Sequence, residues 1–231
     1  MRQILLDTET TGFDPKNGDR IIEIGAVELV KRKLTHNNYH QYIHPERDVP
    51  QDAIEVHGIT NEFLADKPVF ADIVDAFMQF VTGAELIIHN APFDVGFINH
   101  ELAQLPENRW GMIEDHCTIT DSLKLARKTY PGQRNSLDAL CKRLGIDNSN
   151  RTLHGALLDS EILADVYLAM TGGQTDLTLS ESDNSGAAQS NRLVSRKGTP
   201  LKIVRASAAE LEAHRQKLAD ISENAKRSIE W

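Results

Sequence analysis

The chain begins with the stretch Ile-Leu-Leu-Asp-Thr-Glu-Thr-Thr-Gly (residues 4–12), an apolar run that ends in two carboxylates. Side chains alternate between the faces of a β-strand, so Asp7 and Glu9 point to the same face. Two carboxylates on one face repel each other unless solvent, a basic partner or a divalent cation neutralises them. No Lys or Arg lies between Arg2 and Lys16. The stretch therefore predicts one edge of a cation site, and the alternative is an acidic strand end that turns into solvent.

Alternating apolar segments and helical spacing predict the fold class. Strands interleaved with helices in this order are typical of an α/β domain with a mixed central sheet. The second strand is expected to return beside the first as a hairpin. The predicted strands are the opening run, Arg20–Val30, Asn38–Ile43, Glu85–His89 and a short fifth strand around residues 116–119, and the predicted helices cover 68–81, 95–102, 121–128, 136–144 and a last segment that ends near 170.

The composition changes after residue 171, and this change predicts three parts. Residues 1–171 form the main domain, and residues 172–191, rich in Ser, Gly, Asn, Gln and Asp, form a flexible linker. In the tail, residues 192–231, the pattern Ser-Ala-Ala-Glu at 207–210 predicts a helix that opens with a capping box. This tail is too short to hold a core, so Trp231 and the apolar stripe of the predicted helix (Leu211, Leu218 and Ile221) are expected to pack on another surface. The alternative is a tail that is weakly ordered in the free protein.

Composition and charge restrict the classes of function. Of the 231 residues 40% are hydrophobic and 26% charged, which is ordinary for a globular protein, and the two cysteines, Cys117 and Cys141, indicate a reducing compartment. The N-terminal sequence does not resemble a signal peptide, so we expect a cytoplasmic protein without a membrane partner. The net charge is −9, and residues 1–170 carry 16 basic against 26 acidic residues. A protein with this charge needs cations or a partner to act on a polyanion.

Three further residues could complete a site with the opening pair. Asp94 follows a predicted strand, at the place where α/β sheets bind ligands. The alternative is an acidic residue in the first turn of a helix, where the helix dipole favours its charge. His154 and Asp159 are five residues apart, about 140° around a helix, so one regular helix cannot point both into one site. We therefore place Asp159 on the helix and His154 on the segment before it. Taken alone, a histidine in this position is more often a surface residue than a functional one.

Together these side chains predict a metal-dependent hydrolase. Carboxylates from separate segments supply the oxygen ligands that Mg²⁺ or Mn²⁺ prefers. Two such ions about 4 Å apart can activate a water and stabilise the leaving oxygen in phosphodiester hydrolysis. A neutral histidine is suited to take the proton of that water.

The order and spacing of these motifs carry a resemblance to a known family. Asp7-x-Glu9, Asn90-x-x-Phe-Asp94 and His154-x-Ala-x-x-Asp159 resemble the three exonuclease motifs of the DEDD superfamily, in its His-containing branch. Leu-Asp-Thr-Glu-Thr-Thr-Gly, Val-His-Gly-Ile and His-Asn-Ala-Pro-Phe-Asp are in addition similar to the proofreading 3′ to 5′ exonucleases of bacterial replicative polymerases. The resemblance covers residues 1 to about 170 and implies a ribonuclease H-like fold.

The resemblance also implies roles for these residues. Asp7, Glu9 and Asp159 would hold the cation that binds the attacking water, Asp7 would bridge to a second cation supported by Asp94, and His154 would be the general base. Asp7, Glu9 and Asp159, together with Thr10, Asp52 and His57, would also lie along the terminal nucleotide. For Thr10 and His57 the alternatives are a capping threonine and a hydrogen-bonded turn histidine.

The same resemblance implies partners for the tail. Gln174-Thr-Asp-Leu177-Thr-Leu179 is similar to the short peptide by which bacterial replication proteins bind the sliding clamp, through Gln174, Leu177 and Leu179. The capped helix and Trp231 would tether the chain to the polymerase catalytic subunit. A small accessory, theta-like subunit is a further partner that the resemblance leaves open.

The predicted function is thus excision of mispaired nucleotides from a DNA 3′ end as nucleoside monophosphates. One alternative is an RNA-trimming exonuclease similar to oligoribonucleases. A second, from another class, is a non-catalytic linker between polymerase and clamp, although such a protein has no need to keep all five candidate catalytic residues.

Overall fold

The structure is a computed structural model, and it describes residues 2–149, 151, 153–172 and 207–225. The strands are β1 (Arg2–Thr10), β2 (Ile21–Val30), β3 (Lys33–Tyr42), β4 (Glu85–Ile88) and β5 (Thr118–Asp121), and the helices are α1 (Gln51–His57), α2 (Asn61–Leu64), α3 (Phe70–Val81), α4 (Ala91–Gln104), α5 (Ser122–Thr129), α6 (Leu137–Leu144), α7 (Ala156–Gly172) and α8 (Ala208–Ala225).

The five strands form one mixed sheet in the order β3-β2-β1-β4-β5, which confirms the predicted α/β class. β1 pairs antiparallel with β2, as the predicted hairpin requires, and β2 pairs antiparallel with β3. β4 is parallel to both β1 and β5. The central strand β1 and its neighbour β4 therefore present their carboxyl ends at the same edge of the sheet, where ligand sites of α/β folds lie.

Helices cover both faces of β1 because its successive apolar side chains point to opposite faces of the sheet. Ile4 and Leu6 pack with Phe77 of α3 and with residues of α4, whereas Leu5 packs on the opposite face against Leu163 of α7. All three β1 side chains are fully buried. At roughly 1.5–3 kcal/mol for each buried aliphatic side chain, this double-sided burial stabilises the strand that carries Asp7 and Glu9.

The elements β3 and α1 differ most from the sequence predictions. β3 begins at Lys33, five residues earlier than expected, because Lys31 and Arg32 adopt positive φ angles and form a tight hairpin turn. The early part of β3 is an exposed edge of the sheet and lacks the apolar alternation that marks a half-buried strand. The short helix α1, which ends at Gly58 in the left-handed conformation, was not predicted at all.

The chain separates into two compact units, Met1–Thr178 and Leu179–Trp231. In the second unit the predicted capping box is confirmed, since the Ser207 backbone N–H donates to Glu210 and the Glu210 N–H donates to the Ser207 hydroxyl. Leu211 and Ile221 on α8 are exposed. The boundaries at 171 and 191 stay predictions, and most of the proposed linker and Trp231 lie outside the described residues. Among the helices of the described ranges, none has the length and apolar character needed to cross a membrane.

Candidate active site

Asp7 and Glu9 lie at the end of the central strand, on the face that packs against α7. Glu9 is buried, and Asp7 is partly buried. Thr8 points to the opposite face, as the alternation predicts, and there its hydroxyl donates a hydrogen bond of 2.7 Å to Asp94 Oδ1. Strand alternation therefore gives β1 two roles: one face carries two carboxylates, and the other positions a third.

Asp94 lies in the first turn of α4, directly after the parallel strand β4. The connection is short because Asn90 adopts a positive φ of 74° at the start of the helix. The Asp94 side chain is only 2% exposed. The helix N-terminus and the Thr8 hydroxyl both favour its charged form, and its charge is close enough to Asp7 to raise the pKa of that carboxyl.

Close contact between β2 and α7 positions Asp159. A Cβ atom at Gly25 would lie 2.1 Å from the backbone N of Leu157, so only glycine permits this approach. The Ser160 hydroxyl donates to the Gly25 carbonyl at 2.8 Å, and the Ala156 N–H donates to Glu23 Oε2 at 3.1 Å. These contacts hold the first turn of α7 on the sheet.

His154 precedes α7, as predicted, and its backbone N–H donates to the Val56 carbonyl at 3.1 Å. Its imidazole is 47% exposed and stands beside Asp159, with Nδ1 at 3.7 Å from Oδ2. The lead-in segment and the helix thus bring both residues to one place, which a single regular helix could not do.

Burial and mutual repulsion raise the pKa values of the carboxylates. Burial raises the pKa of Glu9 to about 8, and the neighbouring Asp159 adds to the rise. Burial likewise raises the pKa of Asp7 well above its usual range, with contributions from Asp94 and Glu9. The pKa of Asp94 rises to about 7, again because of burial, although hydrogen bonds to its carboxylate oppose the rise. A positive charge in this cluster would stabilise the ionised forms.

The donor set fits a hard divalent cation. Ligand atoms of Glu9, His154 and Asp159 all lie within 4.8 Å of one another. Asp7 and Asp94 lie outside this tight group, but their charges act on it. Carboxylate oxygens dominate the set, as Mg²⁺ and Mn²⁺ prefer.

A basic residue that the sequence interpretation missed also enters the cluster. Arg151 donates to both oxygens of Asp159, through Nε at 2.5 Å and Nη2 at 2.7 Å. The Arg151 side chain is only 8% exposed. No basic residue adjoins Asp7 in sequence, but the fold brings one from 144 positions away. The sequence feature that could have identified Arg151 is its position three residues before His154 in the third motif.

A cavity of about 530 Å³ opens beside Glu9 and His154. Thr10, Asp52 and His57, the residues implied to contact the terminal nucleotide, all line it. Its lining also contains apolar side chains that the sequence interpretation did not select, namely Phe13, Val56 and Phe93. Gln174, Leu177 and Leu179, the proposed clamp-binding residues, lie outside the described residues.

Comparison with known proteins first defines the class of protein to which the chain belongs. The model of the Exonuclease family matches residues 4–167. The solved structure of Exonuclease X in complex with 5′ overhanging duplex DNA superimposes with a TM-score of 0.57 and 27% sequence identity, over 74% of this chain and 91% of that chain. The fold is thus the ribonuclease H-like exonuclease fold that the motifs implied.

Curated relatives define the particular family. DNA polymerase III subunit epsilon of Salmonella typhimurium is 54% identical over 225 residues, which span 94% of this chain and 92% of the relative. The subunit of the same name from Escherichia coli is 52% identical, over the same share of each chain. The chain therefore belongs to the exonuclease family and, within it, to the family of DNA polymerase III epsilon subunits.

Proposed function

We propose that the chain is the proofreading 3′ to 5′ exonuclease of a replicative DNA polymerase and that it hydrolyses the terminal phosphodiester with two divalent cations, Mg²⁺ or Mn²⁺. The observation that carries the proposal is the cluster at the end of β1, in which buried carboxylates and one histidine border a cavity. Mispaired nucleotides leave the DNA 3′ end as nucleoside monophosphates. The names of the relatives favour DNA over the RNA-trimming alternative.

The carboxylates would divide between the two cations. Asp7, Glu9 and Asp159 would hold one, Asp7 would bridge to the other, and Asp94 would support the second. When bound, such a pair of ions supplies an activated water and stabilises the charge on the leaving oxygen. The Thr8 hydroxyl and the contacts of α7 with β2 keep Asp94 and Asp159 in place during turnover.

His154 acts as the general base. Its imidazole is half exposed at the junction of the acidic cluster and the cavity, where the attacking water must approach. It takes a proton from that water as the phosphorus–oxygen bond forms. Its place within 4.8 Å of two carboxylates also suits a cation ligand, and the Mn²⁺ affinity of His154→Ala distinguishes the two roles.

The cavity receives the terminal nucleotide. His57 is 6% exposed, and its Nδ1 accepts the Ile59 N–H at 3.0 Å, so the hydrogen of the neutral ring is on Nε2. That buried Nε2 has no hydrogen-bond partner among the described residues. Burial lowers the pKa of His57, with a smaller contribution from His154, and so favours this neutral form. An oxygen atom of the substrate would satisfy this donor.

Partners must overcome the repulsion between an acidic domain and DNA. The chain carries a net charge of −9, so long-range attraction does not bring it to a polyanion. The tail would tether it to the polymerase catalytic (alpha) subunit, residues 174–179 would bind the sliding clamp, and a theta-like accessory subunit is a further candidate. We expect this exonuclease activity in the cytoplasm.

The decisive experiment is Mg²⁺-dependent digestion of a primer with a mismatched 3′ end by the wild-type protein and by Asp7→Ala. The variant should lose nearly all activity, and equal digestion by both proteins would remove the metal assignment. His154→Ala should slow hydrolysis by about 10²–10⁴-fold and keep its affinity for Mn²⁺. Loss of that affinity would instead identify His154 as a ligand.

A further inference from the structure

Arg151 makes an unusual set of contacts for a residue inside a proposed cation site. Its guanidinium donates to both Asp159 oxygens and, through Nη1 at 2.8 Å, to Asp138 Oδ1. A paired, planar contact of this kind is the strongest that arginine makes with a carboxylate. A divalent cation held by Asp159 would face this positive charge at close range, and the two would repel each other.

The same guanidinium engages the proposed base. Arg151 Nη2 lies 3.0 Å from His154 Nδ1. Arginine is always a donor, so Nδ1 accepts and the hydrogen of a neutral ring is on Nε2. Neither ring nitrogen of His154 is then free to take a proton from water. Arg151 therefore occupies both a proposed cation ligand and the proposed base.

We infer that Arg151 is a built-in counter-cation that competes with the divalent cation for Asp159 and releases His154 only when the cation displaces it. The inference rests on the proposed function, because it takes Asp159 as a cation ligand. Arg151 is accordingly a positioning residue: it keeps the buried carboxylate neutralised before the cation binds, and it makes base activation depend on cation binding.

Asp138 offers the displaced guanidinium a second position. This carboxylate is 60% exposed and belongs to α6, at the rim of the cavity that Asp7, Glu9 and Asp159 also line. Asn148 Nδ2 donates to its Oδ1 at 3.1 Å and so holds it in place. Arg151 can keep its bond to Asp138 while it gives up Asp159, so displacement requires rotation of one side chain and no movement of α7.

The test measures Mn²⁺ affinity by isothermal titration calorimetry of the full chain without DNA. Arg151→Gln should bind Mn²⁺ about tenfold more tightly than wild type, because charge-assisted bonds to a carboxylate no longer oppose the ion. Arg151→Lys keeps the charge but not the paired geometry and should lie between the two. Unchanged or weaker Mn²⁺ binding by Arg151→Gln would overturn the inference.

A thermal readout separates competition from a general structural role. In EDTA, Arg151→Gln should melt below wild type, and saturating Mn²⁺ should close most of that gap. Arg20→Gln is the matched control, because Arg20 makes the same paired contact, at 2.9 and 2.7 Å, with buried Glu101, which is not one of the proposed cation ligands. This control should melt lower by the same amount with and without Mn²⁺ and keep the wild-type affinity.

A measurement on the wild-type chain keeps the inference testable if the variants fold poorly. The Arg151 Nε–H, bonded to Asp159, should be protected from hydrogen exchange in EDTA and lose that protection in saturating Mg²⁺. Protection that persists in Mg²⁺ would overturn the inference. If Asp159→Asn binds Mn²⁺ as wild type does, the ligand assignment of the proposed function fails instead, so the two failures are distinguishable.

Discussion

Gly25→Ala tests whether the spacing between β2 and α7 determines the position of Asp159. The added Cβ would lie 2.1 Å from the backbone N of Leu157 and 2.2 Å from the backbone C of Ala156. Non-bonded carbon contacts are comfortable at about 3.5 Å, so the first turn of α7 must retreat by more than about 1 Å. Because these are backbone atoms, no side-chain rotation relieves the clash.

The retreat should impair both catalysis and folding. A displacement of about 1 Å at a positioned catalytic group can reduce a rate by about 10²-fold, and Asp159 lies only two residues after Leu157. Overpacking of this kind destabilises a core by about 1–3 kcal/mol. Single-turnover digestion of single-stranded DNA in saturating Mg²⁺ measures the first effect, and urea denaturation measures the second.

Gly96→Ala is the matched control for this variant. It adds the same methyl group inside α4, where nothing lies within 4 Å of the new Cβ. It should leave the rate unchanged and stabilise the chain by up to about 1 kcal/mol, since alanine favours helices. A Gly25→Ala protein with the rate and stability of the wild type would refute the claim that this contact positions Asp159.

Three other predictions concern the cluster and the tail. In EDTA the free energy of unfolding should fall as the pH rises from 4.5 to about 8. Burial raises the pKa of Glu9 from 4.5 to about 8, so in this range the folded chain binds a proton that the unfolded chain has lost. A melting temperature that does not change across this range would contradict the prediction. Thr8→Val should lower the urea-derived free energy of unfolding by about 1–3 kcal/mol, because Asp94 loses its 2.7 Å bond, and an unchanged midpoint would refute this. Deletion of residues 180–231 should abolish copurification with the polymerase catalytic subunit and leave exonuclease activity on free DNA, whereas the opposite outcome would exclude the tail as the tether.

Local patterns were sufficient for much of the fold and for the identity of the candidate site residues. Strand alternation puts Asp7 and Glu9 on one face, and helical geometry separates His154 from Asp159; both follow from spacing along a short segment. The capped start of α8 could be predicted for the same reason. The early part of β3 and helix α1 could not, because an exposed edge strand and a two-turn helix lack a strong apolar period.

Only the tertiary structure decided which groups meet at the site. Arg151 donates hydrogen bonds to Asp159. The sequence around Arg151 does not indicate which of the nearby carboxylates it would contact. The bond from Thr8 to Asp94 joins residues 86 positions apart, and the contact of Gly25 with Leu157 joins residues more than 130 apart. Spacing along a chain constrains only neighbours within one element, whereas the partners of a buried charge depend on how separate elements pack.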